Sequence, residues 1–350
     1  MVDEIFLLIL SCGVAFLFAW AFRTLPGEGW QILACLPGRK RPDGTWNGIN
    51  LTYYGFFNAL AYVIAATIFM LIIGSLGLPL PSALSVILPV LAIGIWASRY
   101  IARWVEKKPF TFSVGAASFA CIIVAPWIIF LVNMTAGSWL MFYLPMIETL
   151  AAMGIAYAFG EGIGRLACIS FGCCYGKPLS ECHTLIQGVF ARRHFVFLGK
   201  TKKIHYAGRL EGRPVVPVQA LTAVLYTGTG IVSFYLFLKG FPKTALMLAL
   251  FVTQSWRFAS EFMRADYRGR GHISTYQFMS VLAMVYILIL TFAYARPQSV
   301  TTNLIAGLQS LWNPGLILFL LFLWIFSFVY TGKSEVTCCA IDIQVVEKKT

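Results

Sequence analysis

Apolar positions along the chain gather into uninterrupted blocks near 5–22, 52–77, 83–103, 110–132, 139–160, 217–238, 243–263, 274–295 and 313–331, separated by short polar joints. Runs of this length have a physical meaning, because a helix crossing the ~30 Å hydrocarbon layer needs about 20 apolar residues. In lipid every backbone N–H and C=O must be satisfied within the spanning structure, and a continuous apolar run does that as a helix. The pattern therefore predicts an all-α fold, a polytopic transmembrane helix bundle of about eight or nine spans.

Most joints are tight turns, such as the one near Pro79 and the Lys-Gly-Phe-Pro-Lys run from Lys239 to Lys243. Two polar segments are longer: 23–50, rich in Gly, Pro and Trp, and 173–216, which carries Arg192, Arg193, Lys200, Lys202, Lys203, Arg209 and Arg213. The chain divides on this reading into an N-terminal helix with a polar loop (1–51), a transmembrane core (52–331) with a small polar cap (173–216), and a polar tail (332–350). The first block follows Met-Val-Asp-Glu with no basic n-region and no small-residue cleavage site, so it is expected to be a retained helix.

Composition agrees with a lipid solvent. Of 350 residues 59% are hydrophobic and 12% charged, where a soluble surface needs about a quarter charged. The nine cysteines are scattered, several within apolar blocks, and do not form a secreted disulfide framework. The net charge of +13 is concentrated in short loops, where anionic lipid headgroups are nearer partners than nucleic acid. Numbering the spans in order puts Arg39, Lys40, Arg41, Arg99, Arg103, Lys107, Lys108, the 192–213 cluster, Arg264, Arg268 and Arg270 on one side, against Lys239, Lys243 and Arg296 on the other. The positive-inside rule puts such a side in the cytoplasm, but an anionic substrate would recruit the same charges, and both placements stay open.

The stretch from Gly160 to Gly176 holds six glycines, with Glu161 and Arg165 among them. It is expected to expose irregular backbone at a span end, which is tolerated at membrane depth only against a polar cavity. Arg165 either snorkels to the interface or meets a fixed anion, for which a lipid phosphate has bidentate geometry. In the span 243–263, Arg257, Glu261 and Arg264 are four and three residues apart and so share a helix face. They form either an internal ion pair or a grip for a phosphodiester. Tyr53, Tyr54, Asn58, Gln219, Thr222, Ser274 and Gln277 are further polar positions able to line the same cavity. Cys168, Cys173, Cys174 and Cys182, followed by His183, invite a zinc reading, yet their spacing fits no standard zinc knuckle or ribbon. No metal and no cofactor is assigned; a reactive thiolate beside arginine is the other alternative.

Gly164-Arg165-Leu166, Gly172 and Tyr175-Gly176 resemble the signature segment of the prolipoprotein diacylglyceryl transferases. In the same order, Pro217-Val218-Gln219 resembles the family's Pro-Ser-Gln, Arg257 with Glu261-Phe262-Met263-Arg264 its Phe-Arg…Glu-Phe-Phe-Arg helix, and Ser274…Gln277 its Ser-x-x-Gln helix start. Tyr54-Gly55 looks like the Tyr-Gly of the first core helix. The resemblance implies a multi-pass enzyme of the bacterial cytoplasmic (inner) membrane. Such an enzyme moves a diacylglyceryl group from phosphatidylglycerol to a lipoprotein cysteine and releases glycerol phosphate, without metal. It implies Arg165, Arg257 and Glu261 as catalytic residues, and Tyr54, Gly164, Gln219, Arg264, Ser274 and Gln277 as substrate-binding residues. The partners implied are an anionic phospholipid donor and a lipid-anchored or secreted acceptor. The chain departs from the family where Cys168, Phe171 and Cys173 replace two asparagines and a glutamate, where Thr222 replaces an acidic residue, and where no His-Gly-Gly motif is found. Glu161, Glu261 and His183 remain as candidate bases. Transfer to another acceptor, a glycan or lipid, and non-catalytic phospholipid binding or transport are the alternatives.

Overall fold

A computed structural model describes residues 1–106, 113–266, 273–294 and 301–344. Lys107, Lys108, Arg268, Arg270 and Arg296, assigned above to the two faces, lie outside the described residues, as do the last positions of the tail. The long helices are α1 (Val2–Thr24), α2 (Tyr53–Ser75), α3 (Leu80–Glu106), α4 (Val114–Val132), α5 (Met146–Phe171), α6 (Val218–Leu238), α7 (Pro242–Ser260) and α8 (Thr275–Ala293); the short α9 (Leu304–Ser310) precedes the last long one, α10 (Pro314–Gly332).

Seven of these are long and apolar enough to cross a membrane: α1, α2, α3, α4 with its continuation to Leu140, α6, α8 and α10. The expected eight or nine spans are thus not reached. α5 and α7 fall short in apolarity because they carry Glu148, Glu161 and Arg165, and Arg257, respectively. They are nevertheless central. α5 packs against α2, α6, α7 and α4, and most of its residues are buried.

The all-α expectation also needs correction. The polar loop after α1 is a hairpin of β1 (Ile32–Lys40) and β2 (Trp46–Thr52), and the tail contributes β5 (Lys333–Ile341), which pairs antiparallel with β2. A Cys35–Cys339 disulfide joins the outer strands. The tail is in register with an existing edge, and its alternating residues follow the period of two that strand pairing needs. A second small sheet, β3 (Phe195–Val196) with β4 (Pro214–Val215), folds the cap on itself.

Cap and hairpin meet at one end of the bundle. Gln31 Nε2 donates to the Thr201 carbonyl at 2.6 Å, and the Leu198 N–H to the Pro26 carbonyl at 3.1 Å. Lys202 is fully buried there, its Nζ donating to the carbonyls of Ser170 (2.6 Å) and Leu25 (3.1 Å). Burial pushes its ammonium down to about 8, against partial compensation from Glu28. At the far end Lys239 Nζ meets Glu4 Oε1 at 2.5 Å.

Glycines set how closely the inner helices approach. A Cβ at Gly160 would lie 2.9 Å from the Ala65 Cβ of α2, and one at Gly162 only 2.2 Å from Thr227 Oγ1 of α6. Gly164, four residues after Gly160, also faces α2, at Ala61. This is the small-x-x-x-small surface that lets membrane helices pack by close contact, where lipid offers no hydrophobic drive between them. The expectation of irregular backbone in the glycine-rich stretch is therefore overturned: residues 146–171 are one continuous helix. Gly55 serves the same purpose, since a Cβ there would collide with the Gly332 backbone of α10 at 2.1 Å.

Candidate active site

Glu161 and Arg165 lie one turn apart on α5 and form an i,i+4 ion pair through Glu161 Oε1. The other carboxylate oxygen, Oε2, accepts from Arg257 of α7 at 2.5 Å. Two guanidinium groups from different helices thus converge on one carboxylate. Its side chain is 3% exposed and theirs 11%. Arg257 is held further by the Tyr157 hydroxyl, which accepts from its NH2 at 3.1 Å and in turn accepts from Gln254 at 3.2 Å. A Cβ at Gly115 of α4 would sit 2.9 Å from Arg257 NH1, so a glycine there makes room for the guanidinium.

α7 ends at Ser260, and Glu261–Met263 tighten into a 3-10 turn that leaves Arg264 extended. The expected single face bearing 257, 261 and 264 is therefore broken after one turn. The three residues still meet in space, because residues 175–177 run beside 263–265: the Ala265 N–H donates to the Tyr175 carbonyl at 3.1 Å and the Lys177 N–H to the Met263 carbonyl at 2.9 Å. Gly176 is required at this crossing, where a Cβ would come within 2.3 Å of the Val216 carbonyl oxygen. Arg264 forms a bidentate pair with Asp266 at 2.7 and 2.8 Å and lies 3.6 Å from Glu261.

A tight cleft is lined by Arg165, Arg257, Ser260, Glu261 and Arg264, by Val218, Gln219, Thr222 and Tyr226 of α6, and by Cys174. The three arginines of the cleft are balanced by Glu161, Glu261 and Asp266, as burial demands, because an uncompensated charge in a low-dielectric interior costs several kcal/mol or more. Yet the donors are not exhausted. Among the described residues the Nε–H of Arg165 and of Arg257 are buried without a hydrogen-bond partner, and so is the Gln219 Oε1. Buried donors left in this state mark a place prepared for an acceptor.

The other predicted binding residues are placed differently. Gln219 lines the cleft and its Nε2 donates to the Cys173 carbonyl at 2.8 Å. Gly164 lies on the α2 side of α5 and serves packing. Tyr54 stacks on Phe171 with ring centroids 5.4 Å apart, beside the cysteines that follow α5. Ser274 and Gln277 form a capping box at the start of α8, and Gln277 Nε2 ties that helix to the Phe258 carbonyl at 3.1 Å. His183 caps the short helix Thr184–Phe190 within the cap segment. Sequence reasoning kept Glu161 only as a reserve base, although its i,i+4 spacing to Arg165 was visible. Tyr157 and Gly115 it missed, having no local signal to find them by.

A model of the family described as prolipoprotein diacylglyceryl transferase matches residues 45–293. Among curated proteins none matches. The matched span runs from β2 to the end of α8 and contains every element of the cleft, while α1, β1, α10 and β5 lie outside it. With the arginine cleft inside the match and the match covering most of the chain, this multi-pass membrane protein belongs to the prolipoprotein diacylglyceryl transferase family and is an enzyme of the diacylglyceryl transferase type.

Proposed function

We propose that the protein transfers the diacylglyceryl group of phosphatidylglycerol to a lipoprotein cysteine in a bacterial cytoplasmic membrane, with glycerol phosphate leaving. The observation that carries this reading is the pair of buried, partnerless Nε–H donors on two arginines that already converge on one carboxylate. A phosphodiester has the charge and the bidentate geometry to take that carboxylate's place.

The charge balance supplies a mechanism. Phosphate entering the tight cleft competes with Glu161 for Arg165 and Arg257. The displaced carboxylate loses its two cations and regains basicity. Glu161 then accepts the acceptor thiol's proton. The thiolate attacks the glyceryl carbon, the C–O bond to the phosphate oxygen breaks, and glycerol phosphate departs with its added charge held by the arginines. Gln219 and Arg264 line the same cleft and orient the headgroup, and Glu261 stays paired to Arg264 in this scheme.

The test is a purified-protein assay with headgroup-labelled phosphatidylglycerol and a peptide bearing a lipobox cysteine. Release of labelled glycerol phosphate with formation of lipidated peptide supports the reading; folded protein that yields neither overturns it. A second reading rests on the departures at Cys168, Phe171 and Cys173: the same donor grip serving a glycan or lipid acceptor. Glycerol phosphate released only when a membrane extract replaces the peptide would favour it. Headgroup binding with no release under either condition would favour a phospholipid binder.

A further inference from the structure

The end of α5 turns three sulfur atoms onto one another. Gly172 closes the helix in the left-handed region (φ 66°), and the N–H of Cys173 reaches back to the Cys168 carbonyl at 3.0 Å while that of Gly172 reaches Ile169. This is the Schellman closure, and it brings the residue after the glycine back over the last turn. Cys174 then also adopts a left-handed backbone (φ 56°), one of three non-glycine residues described with positive φ. A β-carbon disfavours that conformation, so the surrounding structure must hold it there. The two consecutive cysteines consequently face Cys168 together. Their three Sγ atoms all lie within 4.8 Å of one another, and none is in a disulfide. Cys182 and His183, considered with them from sequence, are not part of the group.

Thiolates around one tetrahedral zinc ion, with Zn–S near 2.3 Å, stand about 3.8 Å apart. The observed cluster needs only rotamer adjustment to reach that separation. Three thiolates and a divalent cation leave one net negative charge, and the cations to meet it are present: Arg165 lies in electrostatic reach of Cys168 and Cys174, and Arg264 of Cys174. The loop is also held from outside, by Gln219 on the Cys173 carbonyl and by the strand-like pairing of Tyr175 and Lys177 with residues 263–265.

From this geometry we propose that Cys168, Cys173 and Cys174 form a tri-thiolate site for one thiophilic metal ion of the zinc class, with a fourth, exchangeable position reached from the arginine cleft. Cys174 belongs to both the cluster and the cleft lining, which makes the connection. The ion displaces the three thiol protons on binding, so occupancy rises with pH. The site does not depend on which acceptor the enzyme uses, and its test needs no turnover.

The experiment uses full-length protein in detergent, reduced, titrated with Co²⁺ and then Zn²⁺. The expected result is one Co²⁺ per chain with a thiolate-to-metal charge-transfer band and tetrahedral d–d absorption, displaced by one equivalent of Zn²⁺. Zn²⁺ should also protect three thiols per chain from a thiol reagent until a chelator is added. Cys168→Ala and Cys174→Ala, monodisperse on gel filtration, should lose the band and the protection, while Cys182→Ala and Cys339→Ala should keep both. Folded wild type with no thiolate band overturns the proposal, as does a band that survives Cys168→Ala. So does protein isolated without reductant whose three thiols are oxidised and which, once reduced, still takes up no metal.

Discussion

α5 and α10 are both long, largely apolar helices, yet they live in different solvents. α10 lies on the outside of the bundle, with Leu316, Ser327 and Gly332 its buried positions and Phe322 66% exposed to what would be lipid. α5 is enclosed by protein on several sides and buries Glu148, Glu161, Ser170 and three glycines' worth of close contacts. The contrast shows why the chemistry sits where hydropathy is weakest. A charge facing hydrocarbon is expensive, but a charge facing a partner on a neighbouring helix is not alone. The membrane-facing helices therefore stay apolar, and those they shield are free to carry ion pairs.

The most damaging way to break this contrast is to empty the interior pair. Arg257→Ala should lower glycerol phosphate release roughly 1000-fold, in line with the loss of preorganised charge stabilisation, and Arg165→Ala should behave alike. An Arg257→Ala enzyme of near wild-type turnover would show that the phosphate grip lies elsewhere. Glu161→Gln keeps the shape and removes the base; a loss of about 100-fold in turnover is expected with expression retained, read by steady-state kinetics with the same lipid. Unchanged turnover would move the proton-accepting role to another group. Gly115→Ala presses on Arg257 from α4 without touching the cleft, and should cost about tenfold in turnover through misplacement of the guanidinium. Gly115→Ala with wild-type kinetics would show that the guanidinium tolerates the shift.

The cap sharpens the comparison from outside the membrane. Below about pH 8 Lys202 is protonated in both folded and unfolded chains and adds no pH dependence. Between about 8 and its ordinary value of 10.5 the unfolded chain keeps a proton that the folded chain has lost, so stability should rise with pH across that window, by up to on the order of 3 kcal/mol. Thermal unfolding in detergent would record the rise, and Lys202→Met should flatten it. Smallest of all, Phe322→Leu on the exposed face of α10 should leave activity unchanged and stability within about 0.5 kcal/mol; a larger loss would mean that this face packs against a partner.

Much of the scaffold was legible locally. Apolar run lengths located each long helix to within a few residues, and the order of Arg165, Gln219, Arg257 and Arg264 along the chain carried the family likeness. Strand β5 was not legible, because a short alternating run in a polar tail becomes a strand only when β2 offers its edge. The glycines of α5 were misread as breaks because the sequence does not show that α2 and α6 lie against them. Ser274 and Gln277 looked like ligands and prove to cap a helix, a local role that their spacing of three already permitted.

Sequence alone determined that this protein lives in lipid, where its helices run and which arginines stand inside them, since these follow from side-chain solvation and chain order. Tertiary structure decided the rest: that Glu161, four residues from Arg165, is also the carboxylate of Arg257 ninety-six positions away, and that three cysteines share one point in space. Such contacts depend on how closely helices approach and how a helix end curls back, and neither is encoded in any window of neighbouring residues.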